Sequence, residues 1–271
     1  MEAGFKVHLA NTAAIQQYSG VKYTDDNSDA RWLADMLRLN ILPEGYIYPK
    51  EQRTARDLLR KRMQLVQQST LNLQSIQGLY ARHLNKKMSA NKVKQLTVEQ
   101  VDQDFLARHV ATAVKSNLAV MNCLQAQNSE LEKILKKELR LDRAFEQLTS
   151  IDGIGLILAL TIMLETGDMS RFDTVGDYAS YCRCISGAKF SNGKKKGNTN
   201  SKNGNKFLSW AFTEAANFAI RYNDTVKRYY QRKSAKTNTI VAIKTVAHKL
   251  ARACFYVLKD QTEFDVKKAF T

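Results

Sequence analysis

Asp26 and Asp29 stand three residues apart in the polar stretch Thr24-Asp25-Asp26-Asn27-Ser28-Asp29. At the start of a helix that spacing turns both carboxylates the same way. Two such carboxylates can hold Mg²⁺, which takes oxygen ligands and keeps several waters, so a nuclease-like site needs further carboxylates from elsewhere in the fold. The same residues also suit the capping of an amphipathic helix, because anions are stabilised at the positive end of the helix dipole. A second constellation is Phe190-Ser191-Asn192-Gly193-Lys194-Lys195-Lys196-Gly197, followed by Ser201-Lys202-Asn203-Gly204-Asn205-Lys206-Phe207-Leu208. In this basic, glycine-rich loop the Ser191 hydroxyl can attack a phosphodiester, since adjacent cations stabilise the developing negative charge and help the hydroxyl lose its proton. A loop that only touches phosphates, through Lys189, Lys194, Lys195, Lys196, Lys202 and Lys206, is the alternative. A third is the turn Ile151-Asp152-Gly153-Ile154-Gly155 between two apolar helical stretches. Gly153 and Gly155 allow backbone N–H groups to approach a phosphate at a helix N-terminus, or simply let two helices pack.

The elements that must position these groups follow from the hydrophobic period. Phe5, Val7 and Leu9 alternate with Lys6 and His8, which predicts a half-buried strand stopping at Asn11-Thr12, the only clear strand in the chain. Trp32, Leu33, Met36, Leu37 and Leu39 then predict a helix ending near Asn40. One strand and one helix before Pro43 cannot close a core, so residues 1–50 read as the tail of a larger α/β domain. Residues 51–145 lack proline and place Leu58, Leu59, Leu65, Leu71 and Ile76 at helical spacing, predicting two long helices with a break at Gly78 and the Asn85 to Asn91 stretch. The seam Leu124, Leu131, Ile134, Leu135 and Leu139 suits an antiparallel hairpin or an intermolecular coiled coil, against the plainer reading of a solvated spacer. Residues 146–271 form the third unit, and Val241, Val246, Leu250, Cys254 and Val257 share one face of its closing core helix.

Composition narrows the function. The 271 residues are 44% hydrophobic, enough for a buried core, and carry a formal charge of +16, which favours a polyanionic partner through counterion release. No apolar run is long enough to span a membrane, so a soluble, cytoplasmic and nucleoid-associated protein is expected. Cys123, Cys182, Cys184 and Cys254 form no Cys-x-x-Cys pair and read as reduced thiols, mostly buried. Between Tyr178 and Thr213 there is no acidic residue, whereas Arg183, Lys189, Lys194, Lys195, Lys196, Lys202 and Lys206 all fall there.

Taken together, Thr24 to Leu33, the Ile151 to Gly155 turn, Tyr181-Cys182-Arg183-Cys184, the Ser191 to Gly197 run and Lys202-Asn203-Gly204-Asn205 resemble one family, the DEDD-type insertion-sequence transposases of the one-ten and eleven-eleven group, related to the Piv-type invertases. The resemblance spans essentially the whole chain. It implies a mainly α chain in which residues 1–50 are the C-terminal remnant of a RuvC-like (RNase H-like) α/β domain. Residues 51–145 would then be a long coiled-coil hairpin, and residues 146–271 a transposase domain with a helix-hairpin-helix-like turn. By position, Asp26 and Asp29 match the closing Asp-x-x-Asp pair of the family's four acidic metal ligands, and Ser191 matches its C-terminal serine. The resemblance further implies Mg²⁺, DNA as substrate, a structured bridge RNA as guide, and a homo-oligomer. It departs from the family in two ways: the first aspartate and the glutamate would lie before Met1, and Asp152 replaces a proline. The expectation is a chain that binds nucleic acid and does not recombine DNA alone, the alternative being a non-catalytic nucleic-acid-binding remnant of such an element.

The charge generates a direct expectation. Binding to nucleic acid should weaken linearly on a log–log plot against salt, with a slope of about −0.9 per duplex phosphate neutralised. An affinity indifferent to salt would leave self-association through the helices as the better reading.

Overall fold

The computed structural model describes residues 4–12, 14–15, 25–138, 143–185, 187–198 and 202–270. Thr24, Leu139 and Ser201, named above, lie outside them. The chain is mainly α. Its described elements run in the order α1 (Asp26–Arg38), α2 (Lys50–Leu84), α3 (Ala90–Lys94), α4 (Val98–Asp104), α5 (Arg108–Glu138), α6 (Arg143–Thr149) and α7 (Leu156–Thr166). A 3₁₀ turn (Met169–Arg171), α8 (Val175–Tyr181), β1 (Ala188–Ser191), β2 (Lys194–Asn198), α9 (Lys206–Tyr222), α10 (Asp224–Lys236), α11 (Thr239–Asp260) and α12 (Val266–Phe270) complete it. Among the described residues no helix is long and apolar enough to cross a membrane.

The strand expected over Phe5, Val7 and Leu9 does not form. The segment is extended, with a single bridge joining Ala10 to Glu44, and Phe5 is 74% exposed. Alternation of apolar and polar residues yields a half-buried strand only where a neighbouring sheet covers one face, and no such sheet stands here among the described residues. α1 does form. Asp25 caps it by accepting from the Ser28 N–H at 2.7 Å, and left-handed Asn40 follows its end. Of its apolar residues Met36 is buried, whereas Leu37 and Leu39 remain exposed.

Pro49 immediately precedes α2, which pairs antiparallel with α5. Arg62 meets Glu132 near the base, and Asn117 Nδ2 donates to Ser75 Oγ nearer the tip, fixing the opposed register. Gly78, expected near a break, lies inside α2; the helix ends at Asn85, whose left-handed conformation receives the chain after the last turn. α3 and α4 fold over the tip, where Ile76, Tyr80, Val93, Val101, Phe105 and Val114 make a small core.

The main core surrounds α7, an apolar helix with buried residues on all sides. α9 approaches it with Ala211, Ala215, Ala216 and Ala219, small side chains that let helix backbones close up. Val246, Leu250, Cys254 and Val257 of α11 complete the packing as its period predicts, while Val241 stays exposed. Leu59 and Leu135 join this core from the base of the α2–α5 hairpin. Cys182 and Cys254 are buried, Cys184 is partly buried, and Cys123 is exposed. Burial pushes the Cys184 thiol up to about 12, which fits inert, structural thiols.

One carboxylate fastens several of these segments. Glu165, in the last turn of α7, is 1% exposed and accepts two hydrogen bonds from the Arg60 guanidinium of α2, at 2.6 and 2.8 Å. It accepts a third from Asn205 Nδ2 at 2.7 Å, and its backbone carbonyl accepts from the Tyr48 hydroxyl at 2.6 Å. The Arg171 guanidinium lies 4.4 Å from the Tyr46 ring and 4.6 Å from the Tyr181 ring. The segment between α1 and α2 is thereby strapped to the C-terminal helices.

Two predictions follow from this packing. A Cβ at Gly153, whose φ is +97°, would stand 2.4 Å from the Ala215 carbonyl oxygen and 2.6 Å from the Ala219 nitrogen, whereas a Cβ at Gly155 meets open space. Gly153→Ala should therefore lower stability by more than about 2 kcal/mol, from backbone strain plus overpacking. Gly155→Ala should stay within about 0.5 kcal/mol; urea midpoints of the pair read the contrast. Arg60→Ala strands the buried Glu165 carboxylate and should cost about 3 kcal/mol, the low end for a broken buried pair because Arg60 is a third exposed. Glu165→Gln should cost less, since the Arg60 guanidinium can turn to water; equal losses in denaturation would contradict this asymmetry.

Candidate nucleic-acid interface

The run around Ser191 is a β-hairpin, where the sequence reading expected a loop. β1 and β2 pair antiparallel with Ser191 opposite Lys194, and Asn192 and Gly193 both take left-handed conformations, φ 51° and 71°. That is the two-residue turn whose twist matches paired strands, and Asn-Gly is its strongest local signal. The tight turn puts Ser191, Asn192, Gly193, Lys194 and Lys196 on the exposed tip. Among the described residues no hydrogen bond engages the Ser191 hydroxyl, and the residue is exposed. Lys189 and Lys195 lie on the two strands.

The second part of the basic run is held rather than loose. Arg183 follows the end of α8 in a left-handed conformation, φ 55°, a place that glycine fills at lower cost. Its guanidinium donates to the carbonyls of Lys202 and Gly204. Gly204 in turn backs onto α8 so closely that a Cβ would stand 2.5 Å from the Tyr181 carbonyl oxygen. Asn205 caps α9, accepting from the Phe207 and Leu208 N–H groups while its amide donates to Glu165. A cavity of about 510 Å³ opens beside this corner, lined among others by Asn11, Arg60, Arg183, Asn203, Lys206 and Phe207. The Arg60 guanidinium and the Lys206 ammonium lie 4.4 and 5.1 Å from the Phe207 ring. Of the three cations only Arg60 has a carboxylate partner among the described residues, and that partner is the buried Glu165. Hydrogen bonding to Glu165 raises the Arg60 pKa, so its charge is permanent. The corner thus presents fixed positive charge around a concave surface, which suits a phosphodiester.

The glycine turn is placed differently. Gly153 is pressed against the backbone of α9 at Ala215 and Ala219, so its lack of a side chain serves packing. Asp152 accepts a 2.7 Å hydrogen bond from Asn223 Nδ2, tying the turn to the start of α10. Gly155 begins α7 with no side-chain cap and open space in front of it. This turn meets the far end of α9 from Lys206, about 20 Å away at 1.5 Å per residue.

Asp26 and Asp29 are exposed in the first turn of α1, and no packing interface joins α1 to the β1–β2 hairpin among the described residues. Their oxygen donors are of the right chemistry for Mg²⁺, but no group of three candidate metal ligands gathers among the described residues. Two carboxylates at a positive helix end hold a divalent ion only with further ligands.

Sequence reasoning missed Arg60, Glu165, Tyr48 and Asn205 as the framework of the basic corner. Asn205 carried a usable signal, being a helix-capping residue type directly before an apolar helical run. Arg60 and Glu165 had none, because 105 residues separate them.

Comparison with known proteins agrees with the resemblance drawn from the motifs. The model of the family described as "Transposase IS116/IS110/IS902 family" matches residues 145–231, the stretch that contains the glycine turn, the Ser191 hairpin and the Lys202 to Lys206 corner. Along nearly its full length the chain is similar to the "Probable family 20 transposase" of Pseudomonas aeruginosa, 21% identical over 270 residues that cover 96% of this chain and 79% of that protein. Through residues 145–231, the chain is thus similar to the IS116/IS110/IS902 transposase family, and along nearly its full length to a transposase named for family 20.

Proposed function

We propose that this chain acts on DNA as an insertion-sequence transposase, with Ser191 as the nucleophile that cuts and rejoins strands. The observation that carries this reading is the exposed Ser191 at an Asn-Gly hairpin turn, beside Lys194 and Lys196, inside the family-matched segment. Attack of the Ser191 oxygen on a phosphodiester forms a serine–phosphorus ester and releases the leaving sugar oxygen, which takes up a proton. Attack by the hydroxyl of a second strand reverses the step and frees the serine. Lys194, Lys196 and the Arg183–Lys206 corner hold the flanking phosphates, with Lys189, Lys195 and Lys202 adding to the same field.

Asp26 and Asp29 supply two carboxylates for Mg²⁺ in this reading, together with further acidic ligands. When bound there, the ion neutralises charge at the reacting phosphate. Residues 1–50 then belong to a RuvC-like nuclease domain and the α2–α5 hairpin to a coiled coil. Leu71, Leu106 and Val120 are exposed on the hairpin and its tip, which supports a second copy covering them. Positive charge spread over the described hairpin, corner and helices suits phosphate contacts, which supports target choice by a paired guide RNA. A second reading, a nucleic-acid-binding remnant without catalysis, is favoured by the absence of a three-ligand acidic group among the described residues.

Ser191→Ala separates the two. Strand transfer on DNA carrying the element's ends should fall by at least about 10³-fold, while binding measured by fluorescence anisotropy stays within about twofold. Recombination by Ser191→Ala at the parental rate would remove the serine from the mechanism. A parental chain that binds and never transfers strands, with or without Mg²⁺, would support the remnant.

A further inference from the structure

We propose that the outer face of α10 is a second nucleic-acid contact surface, separate from the Ser191 hairpin and its basic corner, with Arg228, Arg232 and Lys236 each engaging a backbone phosphate. The proposal takes its partner class from the function proposed above.

α10 has a clear inner face. Val226 is buried, Tyr229, Tyr230 and Lys233 are partly buried, and the helix packs on α9, α11 and α12. Its outer face is exposed throughout and carries Lys227, Arg228, Gln231, Arg232, Ala235 and Lys236. Arg228, Arg232 and Lys236 are spaced four residues apart, forming a stripe in which cations recur about every 6 Å. A duplex strand offers a phosphate about every 3.4 Å of its axis, so three cations at this pitch can each reach a different phosphate.

Ordinary helix electrostatics do not account for this face. Lys233 and Lys236 lie in the last turn, where the dipole favours cations, but Arg228 and Arg232 lie in the middle of the helix, where it gives them no support. Like charges at i,i+4 also destabilise a helix by about 0.2–0.5 kcal/mol per pair. Some cations elsewhere in the molecule have carboxylate partners: Arg62 pairs with Glu132, Lys86 with Asp104, Lys115 with Asp102, and Lys133 with Glu130. On α10 neither an ion pair nor a hydrogen bond engages the side chains of Lys227, Arg228, Arg232 or Lys236 among the described residues. Asp224, at the N-terminal end, is the one acidic residue of the helix. A self-repelling stripe with no internal partner is complementary to a polyanion, and its regular pitch suits a repeating one.

The test compares two charge-matched triple variants of the full chain, Arg228→Gln/Arg232→Gln/Lys236→Gln and, on α5, Lys133→Gln/Lys136→Gln/Lys137→Gln. Circular dichroism melts confirm that both fold. Anisotropy titrations across a salt series use a 30-base-pair DNA duplex and, separately, an RNA hairpin. The α10 variant should lose about 2–3 units of the log–log salt slope on the duplex, with the α5 variant closer to the parent. Loss on the RNA alone would keep the surface and identify its phosphates as those of RNA. Equal changes in the two variants, or an unchanged α10 slope, would overturn the proposal while leaving the proposed function intact. If the parental chain bound neither probe, both would fall. If α10 substitution unfolds the chain, Arg228→Lys/Arg232→Lys, which preserves charge, should retain the parental slope, and a lost slope in that folded variant would also count against the proposal.

Discussion

A charge taken out of water must be met by partners, and the geometry of this molecule is organised around one such charge. Glu165 sits at the end of the central helix with its carboxylate almost wholly buried. Its oxygens are satisfied only when Arg60 from the base of the helical hairpin and Asn205 from the start of α9 arrive together. Because an unpaired buried carboxylate costs several kcal/mol, docking of the hairpin and shaping of the basic corner are coupled. Tyr48, donating to the carbonyl of the same residue, brings the preceding segment into register.

This arrangement also decides where the positive charge points. The stretch from Tyr178 to Thr213 has no acidic residue of its own. Glu165, the carboxylate beside it, is consumed beneath the surface by Arg60. The Arg183 side chain spends its hydrogen bonds on backbone carbonyls, which shapes the loop without cancelling charge. Among the described residues Lys194, Lys196 and Lys206 are exposed without an ion pair, whereas on the α2–α5 hairpin Arg62, Lys115 and Lys133 each meet a carboxylate. A concentration of exposed cations in one region directs a polyanion toward it.

Particular elements show why some features could be read early. The long helices of residues 51–145 and the closing helix were legible because period 3.6 persists over many residues, and the stop after Leu84 because Asn85 tolerates a left-handed conformation. The strand at Phe5, Val7 and Leu9 was misread because alternation states a preference that only a neighbouring sheet can realise. The β1–β2 hairpin was passed over although Asn192-Gly193 marks it; its lysine-rich strands lack the apolar alternation that signals a buried face. For the glycine turn the choice between phosphate contact and packing stayed open in the sequence. At Gly153 the α9 backbone lies so close that a Cβ would clash, which accounts for the glycine by packing.

The sequence by itself determined the mainly helical character and the basic surface and carried the family resemblance, since periodicity, composition and ordered motifs are properties of the chain read in one dimension. It also placed Ser191, Asp26 and Asp29 in their motifs. The tertiary structure alone decided that Ser191 rides on a tight hairpin, that Arg60, Glu165 and Asn205 form one cluster, and that α10 turns its cations outward. Those facts depend on which distant groups meet when water is excluded, and no local pattern encodes a contact made across a hundred residues.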